Sequence, residues 1–144
     1  IFFGFESLSI PAVVYSHTTG KIVEMSILKN IVLTGLGKLP IYVLLGTLAF
    51  ALSTLFNATP VAITITLMGY MASSIINQFA YYYNINWLKF FVTPNWDLTQ
   101  FFYGCLPLIK GQNMMFSIAI CLIYFAIMMI PSFIVFKRRN IKNV

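Results

Sequence analysis

The chain has 144 residues, of which 60% are hydrophobic, 17% aromatic and only 8% charged, with a mean hydropathy of +0.88 and a formal net charge of +6. Soluble domains carry roughly 25% charged residues, so an ordinary soluble domain is excluded. A nucleic-acid footprint is excluded too: Lys137, Arg138, Arg139 and Lys142 supply +4, and the other five lysines stand against Glu6, Glu24 and Asp97, leaving no basic patch.

Ile1–Tyr15 is apolar but short, contains Glu6 and Pro11, and has no basic segment ahead of it that would make it a signal peptide. Beginning on Ile rather than Met, it reads as the outer end of a helix, and the chain as the C-terminal part of a longer protein. Residues Ser16–Asn30 read as a connector in which Thr18 and Thr19 offer a helix cap. Ile22, Val23, Ile27 and Ile31 recur there near helical spacing, opposite Lys21, Glu24 and Lys29. Such a stripe lies on a membrane surface or against a neighbouring helix.

Ile31–Phe56 is mostly apolar but interrupted by Lys38 and Pro40. A ~30 Å hydrocarbon core takes about 20 helical residues, and the uninterrupted part from Ile41 to Phe56 falls short of that. The whole stretch is therefore read as one long helix kinked at Pro40, with the Lys38 ammonium snorkelling toward the headgroups. The alternative is a break, with a separate interfacial helix from Lys21 to Leu39. Asn57-Ala58-Thr59-Pro60 is a turn with Pro placed to open the next helix. Val61–Phe79 follows, a run of spanning length that carries no charge. Gly46, Ala49 and Ser53 in the first helix, and Gly69, Ala72, Ser73 and Ser74 in the second, are small residues suited to close helix approach in lipid. Asn77 and Gln78, at the outer end, carry amides that need partners or the interface.

Ala80–Asn113 is dense in aromatic residues among Asn, Pro and Gly punctuation, and it is too long for a plain connector. Two short helices, Trp87–Val92 and Asp97–Ile109, separated by Thr93-Pro94-Asn95, are expected to dip into the outer leaflet and return. Trp87, Phe90, Phe91 and Trp96 would anchor this hairpin at the interface, and Asp97 would complement the second helix dipole. Met114–Phe136 is again of spanning length and has no ionisable charge; in lipid such a run can pair its backbone only as a helix. Lys137, Arg138, Arg139 and Lys142 then form a cytoplasmic anchor under the positive-inside rule. Alternation puts residues 57–60 inside and the aromatic hairpin outside. The expected fold class is an all-α membrane protein, a helical transmembrane bundle of about three full spans plus the end of a fourth, located in the plasma membrane.

Catalytic groups are scarce. His17 is the single histidine, three acids are scattered between Glu6 and Asp97, and no Gly-rich phosphate loop is present. Cys105 and Cys121 fall in different predicted environments, so they read as ordinary thiols. No enzyme, metal site or cofactor is expected.

Leu45-Gly-Thr-Leu-Ala-Phe-Ala-Leu-Ser-Thr-Leu-Phe56-Asn-Ala-Thr-Pro-Val-Ala-Ile63 resembles the paired inner helices of type-2 ABC exporter permeases, where a Ser-x-Leu-Phe helix end meets a short cytoplasmic turn. Asn95-Trp96-Asp97-Leu98 is similar to part of that family's outer re-entrant hairpin, and Phe133-Ile-Val-Phe-Lys-Arg-Arg-Asn-Ile141 to its last helix and basic tail. Within that family the flavour is that of the bacitracin- and lantibiotic-type peptide exporters. The resemblance implies six helices in the whole protein, partnership with an ATP-binding cassette ATPase subunit and a second permease, and export of peptide antimicrobials. It also implies that Phe56, Asn57, Ala58 and Thr59 form a secondary ATPase contact. A membrane immunity or assembly protein that binds a partner without transporting is the alternative from another class.

Overall fold

The computed structural model describes residues 11–16, 20–56, 58–83 and 85–140, the side chains of Arg139 and Asn140 excepted. Glu6, His17, Thr18, Thr19, Asn57, Lys142 and the greater part of the expected leading helix thus lie outside the described residues. Three helices dominate: α1 (Ile27–Phe56), α2 (Thr59–Tyr82) and α3 (Met114–Asn140). Each is long and apolar enough to cross a membrane. α1 runs unbroken through Lys38 and Pro40, so it is one helix of 30 residues rather than a span with a separate interfacial helix. Pro40 costs it one backbone hydrogen bond, and its length carries it through. Ala58 caps α2 without a side-chain bond, and Pro60 falls in the first turn, where its missing N–H is not needed.

The entry to α1 departs from the all-α expectation. β1 (Pro11–Ser16) and β2 (Lys21–Ser26) pair antiparallel, Val14 opposite Val23 and Tyr15 opposite Ile22. The stripe of Ile22 and Val23 is therefore strand, and Pro11–Tyr15 is not the end of a helix. β-branched and aromatic residues suit the pleated chain, and Pro11 takes the first strand position, where no ladder bond is asked of it. Gly20, at φ +63, supplies the left-handed residue that turns the chain back, its N–H bonded to the Ser16 carbonyl at 2.9 Å.

Between α2 and α3 the chain forms a compact cap. It contains two 3₁₀ turns, Asn86–Phe90 and Leu98–Gly104, in place of the two helices expected over Trp87–Val92 and Asp97–Ile109. The second turn breaks because Tyr103 and Gly104 are left-handed, at φ 57 and 68, and the chain continues extended from Cys105. Asp97 stands one residue before that turn, as its N-cap, accepting from the Thr99 N–H at 3.0 Å.

The core is thin and sits between the cap and the helices. Ile41, Leu44, Trp96 and Cys121 make one cluster, flanked by Leu45, Val92, Tyr124 and Phe125; Ala80, Leu88 and Ile109 make a second. On α2 the buried face is Ala62, Thr66, Ser73 and Ala80. Of the small residues singled out in that helix only Ser73 belongs to it, while Gly69, Ala72 and Ser74 are exposed. At the far end Phe50 lies 6.5 Å from Phe136 between ring centroids. α1 and α3 thus run side by side, and the α1–α2 turn shares an end with Lys137 and Arg138.

Gly37 marks the closest approach of cap and helix: a Cβ there would lie 2.7 Å from Phe102 Cε2 and 2.8 Å from Thr99 Cγ2. A Cβ at Gly46 would meet nothing within 4 Å. Gly46→Ala should raise stability by up to ~1 kcal/mol through helix propensity. Gly37→Ala has the same propensity gain but should lower stability overall, because overpacking costs about 1–3 kcal/mol. The opposite shifts should be visible as thermal unfolding midpoints in detergent.

Candidate functional site: the Asn95 cap

Asn95 is wholly buried and bonds in every direction its amide allows. Its Nδ2 donates to the carbonyls of Lys89 and Phe91, both at 2.6 Å. Its Oδ1 accepts from Gln112 Nε2 at 3.0 Å and from Ser117 Oγ at 2.8 Å. Its backbone N–H bonds the Val92 carbonyl, and its own carbonyl meets Cys121 Sγ at 3.4 Å. One side chain thus fastens the first 3₁₀ turn, the run before α3, and α3 itself. Gln112 is buried too and adds a bond from the Ile109 N–H to its Oε1. Gln100 closes the remaining loop, donating to the Pro94 carbonyl at 2.7 Å and accepting from the Leu108 N–H at 2.9 Å.

Trp96 turns the opposite way, into the cluster formed by α1 and α3, and its ring lies 6.0 Å from that of Tyr70 on α2. One residue therefore touches all three helices. The expected hairpin anchors divide accordingly: Trp96 is buried, whereas Trp87, Phe90 and Phe91 are exposed. Trp87 packs edge-on against Phe91, and Phe90 against Phe116 of α3. Lys89 lies 5.3 Å from the Phe90 ring centroid. Asn77 of α2 finds its partner in the cap, donating to the Thr93 carbonyl at 3.2 Å. Asn77 Oδ1 and Thr93 Oγ1 are buried there with no partner among the described residues.

The structure does not bring the other site residues to this cap. Phe56 and Thr59 are exposed at the opposite end with Ala58 half-buried between them, and Lys137 and Arg138 are exposed at that same end. Asn57, Lys142 and the side chain of Arg139 fall outside the described residues. The sequence marks Asn95 as a turn residue and as the first residue of the Asn95-Trp96-Asp97-Leu98 stretch, and does not single out Gln100, Gln112 or Ser117 at all. The available signal is that Asn95, Gln100 and Gln112 are amides among aromatic residues in a stretch bounded by two spans, where unpaired amides are expensive.

Among the described residues no three His, Cys, Asp or Glu side chains gather where a metal ion could be held. The chemistry of the cap is that of a joint: amide and hydroxyl groups inside, aromatic rings outside.

The chain belongs to the family DUF2705, described as "Protein of unknown function", whose model matches residues 1–142. It is 29% identical over 143 residues to "Uncharacterized protein YhcI" of Bacillus subtilis (strain 168). That match takes in 99% of this chain and 45% of the relative, so the chain spans less than half the relative's length. No solved structure matches.

Asn95→Leu should strand the Gln112 and Ser117 donors and the Lys89 and Phe91 carbonyls together. At ~1–3 kcal/mol for each unsatisfied buried group, a loss of about 3 kcal/mol or more is expected. Trp96 fluorescence, read in a variant with Trp87→Phe, should report the cap loosening at lower denaturant than in the parent.

Proposed function

We propose that this chain is a C-terminal part of the membrane-spanning permease subunit of an ATP-driven exporter. It would move peptide antimicrobials or other amphipathic substrates out through the plasma membrane. The observation that carries the reading is the difference between the two ends of the bundle. At one end α1 and α2 meet in a turn whose flanking residues Phe56 and Thr59 are exposed. At the other a dense polar joint closes over all three helices. A short exposed turn suits a contact with a moving ATPase, and a closed cap with an aromatic exterior suits an outer-leaflet re-entrant hairpin. The resemblance to type-2 exporter permeases supports the same assignment of ends, with Lys137, Arg138, Arg139 and Lys142 anchoring the cytoplasmic side.

ATP chemistry would belong to a separate subunit. The sequence has no phosphate-binding loop, and the Asp97 carboxylate is engaged by Thr99 within its own turn. The turn side chains Phe56, Asn57, Ala58 and Thr59 would take a share of the coupling, and a second permease would complete the path.

Two outcomes test this. In a background lacking Cys105 and Cys121, a cysteine replacing exposed Asn86 should react with a membrane-impermeant thiol reagent in intact cells, and one replacing Lys137 should not. The reverse pattern would invert the topology and remove the reading. The full-length protein should also co-purify with a nucleotide-binding subunit and raise resistance to a peptide antimicrobial several-fold only when that subunit is present. Glycines at Ala58 and Thr59 should lower the resistance in part. Undiminished resistance without any ATPase would favour a membrane immunity protein that acts by binding.

A further inference from the structure

At the margin of the cap, where α2 ends and α3 has yet to begin, Tyr81, Leu106, Pro107, Leu108 and Lys110 line a cavity of about 430 Å³. Its lining is apolar except for one phenol and one ammonium. Leu106, Tyr81 and Lys110 are all exposed, and Gly111, at φ +86, turns the chain just after the lysine. Lys110 forms no ion pair among the described residues. The described chain ahead of α3 holds five lysines, Lys21, Lys29, Lys38, Lys89 and Lys110, against two acids, Glu24 and Asp97, and Asp97 is bonded to Thr99. Among the described residues the chain ahead of α3 therefore carries a surplus of +3, and Lys110 stands where two membrane-length helices terminate.

We propose that this cavity binds an anionic phospholipid, its phosphate held by the Lys110 ammonium and the Tyr81 hydroxyl, the first part of an acyl chain lying on Leu106 and Leu108. The positive surplus selects an anion, and an ammonium is a competent point-charge partner for phosphate. The apolar floor selects an amphiphile over a free ion. The level selects lipid, because Tyr81 lines the cavity at the end of α2 and Tyr82, Tyr83 and Trp87, which follow it in the chain, are exposed as aromatic side chains are at a membrane boundary. The proposal requires α2 and α3 to lie in a bilayer and is independent of the exporter reading.

The test is native mass spectrometry of the full chain in nanodiscs holding equal phosphatidylglycerol and phosphatidylcholine with identical acyl chains. A lysine near a membrane surface contributes ≈ 1 kcal/mol toward anionic lipid. On that scale about fivefold preferential retention of phosphatidylglycerol is expected. Lys110→Gln should bring the ratio close to one and Tyr81→Phe should reduce it, while Lys21→Gln, on the hairpin, should leave it unchanged. All these side chains are exposed, and unaltered Trp fluorescence would confirm that the variants fold. Equal retention of both lipids, equal effects of Lys110→Gln and Lys21→Gln, or displacement of the lipid by inorganic phosphate would each overturn the proposal.

Discussion

The arrangement of this molecule depends on the burial of one amide. A chain that leaves α2 and returns to α3 must place backbone carbonyls and N–H groups against apolar helices, where an unpaired polar group is costly. Asn95 removes much of that cost at a single point, because a carboxamide both donates and accepts. The carbonyls of Lys89, in the first 3₁₀ turn, and of Phe91, just past it, take its protons, and Gln112 and Ser117 give theirs to its oxygen. No other residue type of this size could satisfy all four at once. The network is worth more than its separate bonds, since its members are shielded from water and fix each other's orientation.

Trp96 is positioned by that network. With Asn95 fastened to α3, the next residue faces the opposite way and fills the space among Ile41, Leu44 and Cys121. Within a bilayer, apolar side chains gain little by leaving lipid for one another, and helix association rests on close packing and hydrogen bonds. The cap provides both. Its large ring fits between helices, and Gly37 lets Thr99 and Phe102 come within contact of the α1 backbone. Tyr103, held left-handed, reaches Asn30 at the start of α1 with its hydroxyl. The segment that a linear reading would treat as a connector thus adds to the direct packing of α1 on α2 and on α3.

How much of this was legible follows from the range of the interactions. The three spans were, because an uncharged run as long as Val61–Phe79 or Met114–Phe136 in an apolar chain leaves the backbone a single way to pair. The ends at Phe56 and Met114 fall where expected, and the others lie a few residues outside, where fraying and capping set the boundary. The β-hairpin was not, because Lys21–Ser26 is so short that it fits helical and strand periods alike. Cross-strand pairing with Pro11–Ser16 decided it. Trp87 and Trp96 are the same residue type within one short stretch, one exposed and one buried. Only the fold of the intervening turn separates them. Asn95 announced itself as a turn former, whereas its partners Gln112 and Ser117 lie much further along the chain, a distance across which composition carries no register.

The two ends of the bundle differ in the kind of force that holds them. Near the cap, directional bonds and a ring shared by three helices fix spacing and rotation together. Toward the other end the contacts are softer: Thr47 reaches Met128 Sδ at 3.9 Å, and Phe50 and Phe136 meet at a tilt of 47°. Some hydroxyls there turn back onto their own helix, as Thr64 does to Pro60 and Ser132 to Met128. Such packing tolerates small sliding, while the polar joint permits only its assembled geometry or its loss. In the proposed permease, a displacement delivered at the α1–α2 turn would therefore be taken up first by the turn end of the helices. It would reach the cap as a tilt of whole helices about the Asn95–Trp96 joint, since that is the point where all three are tied.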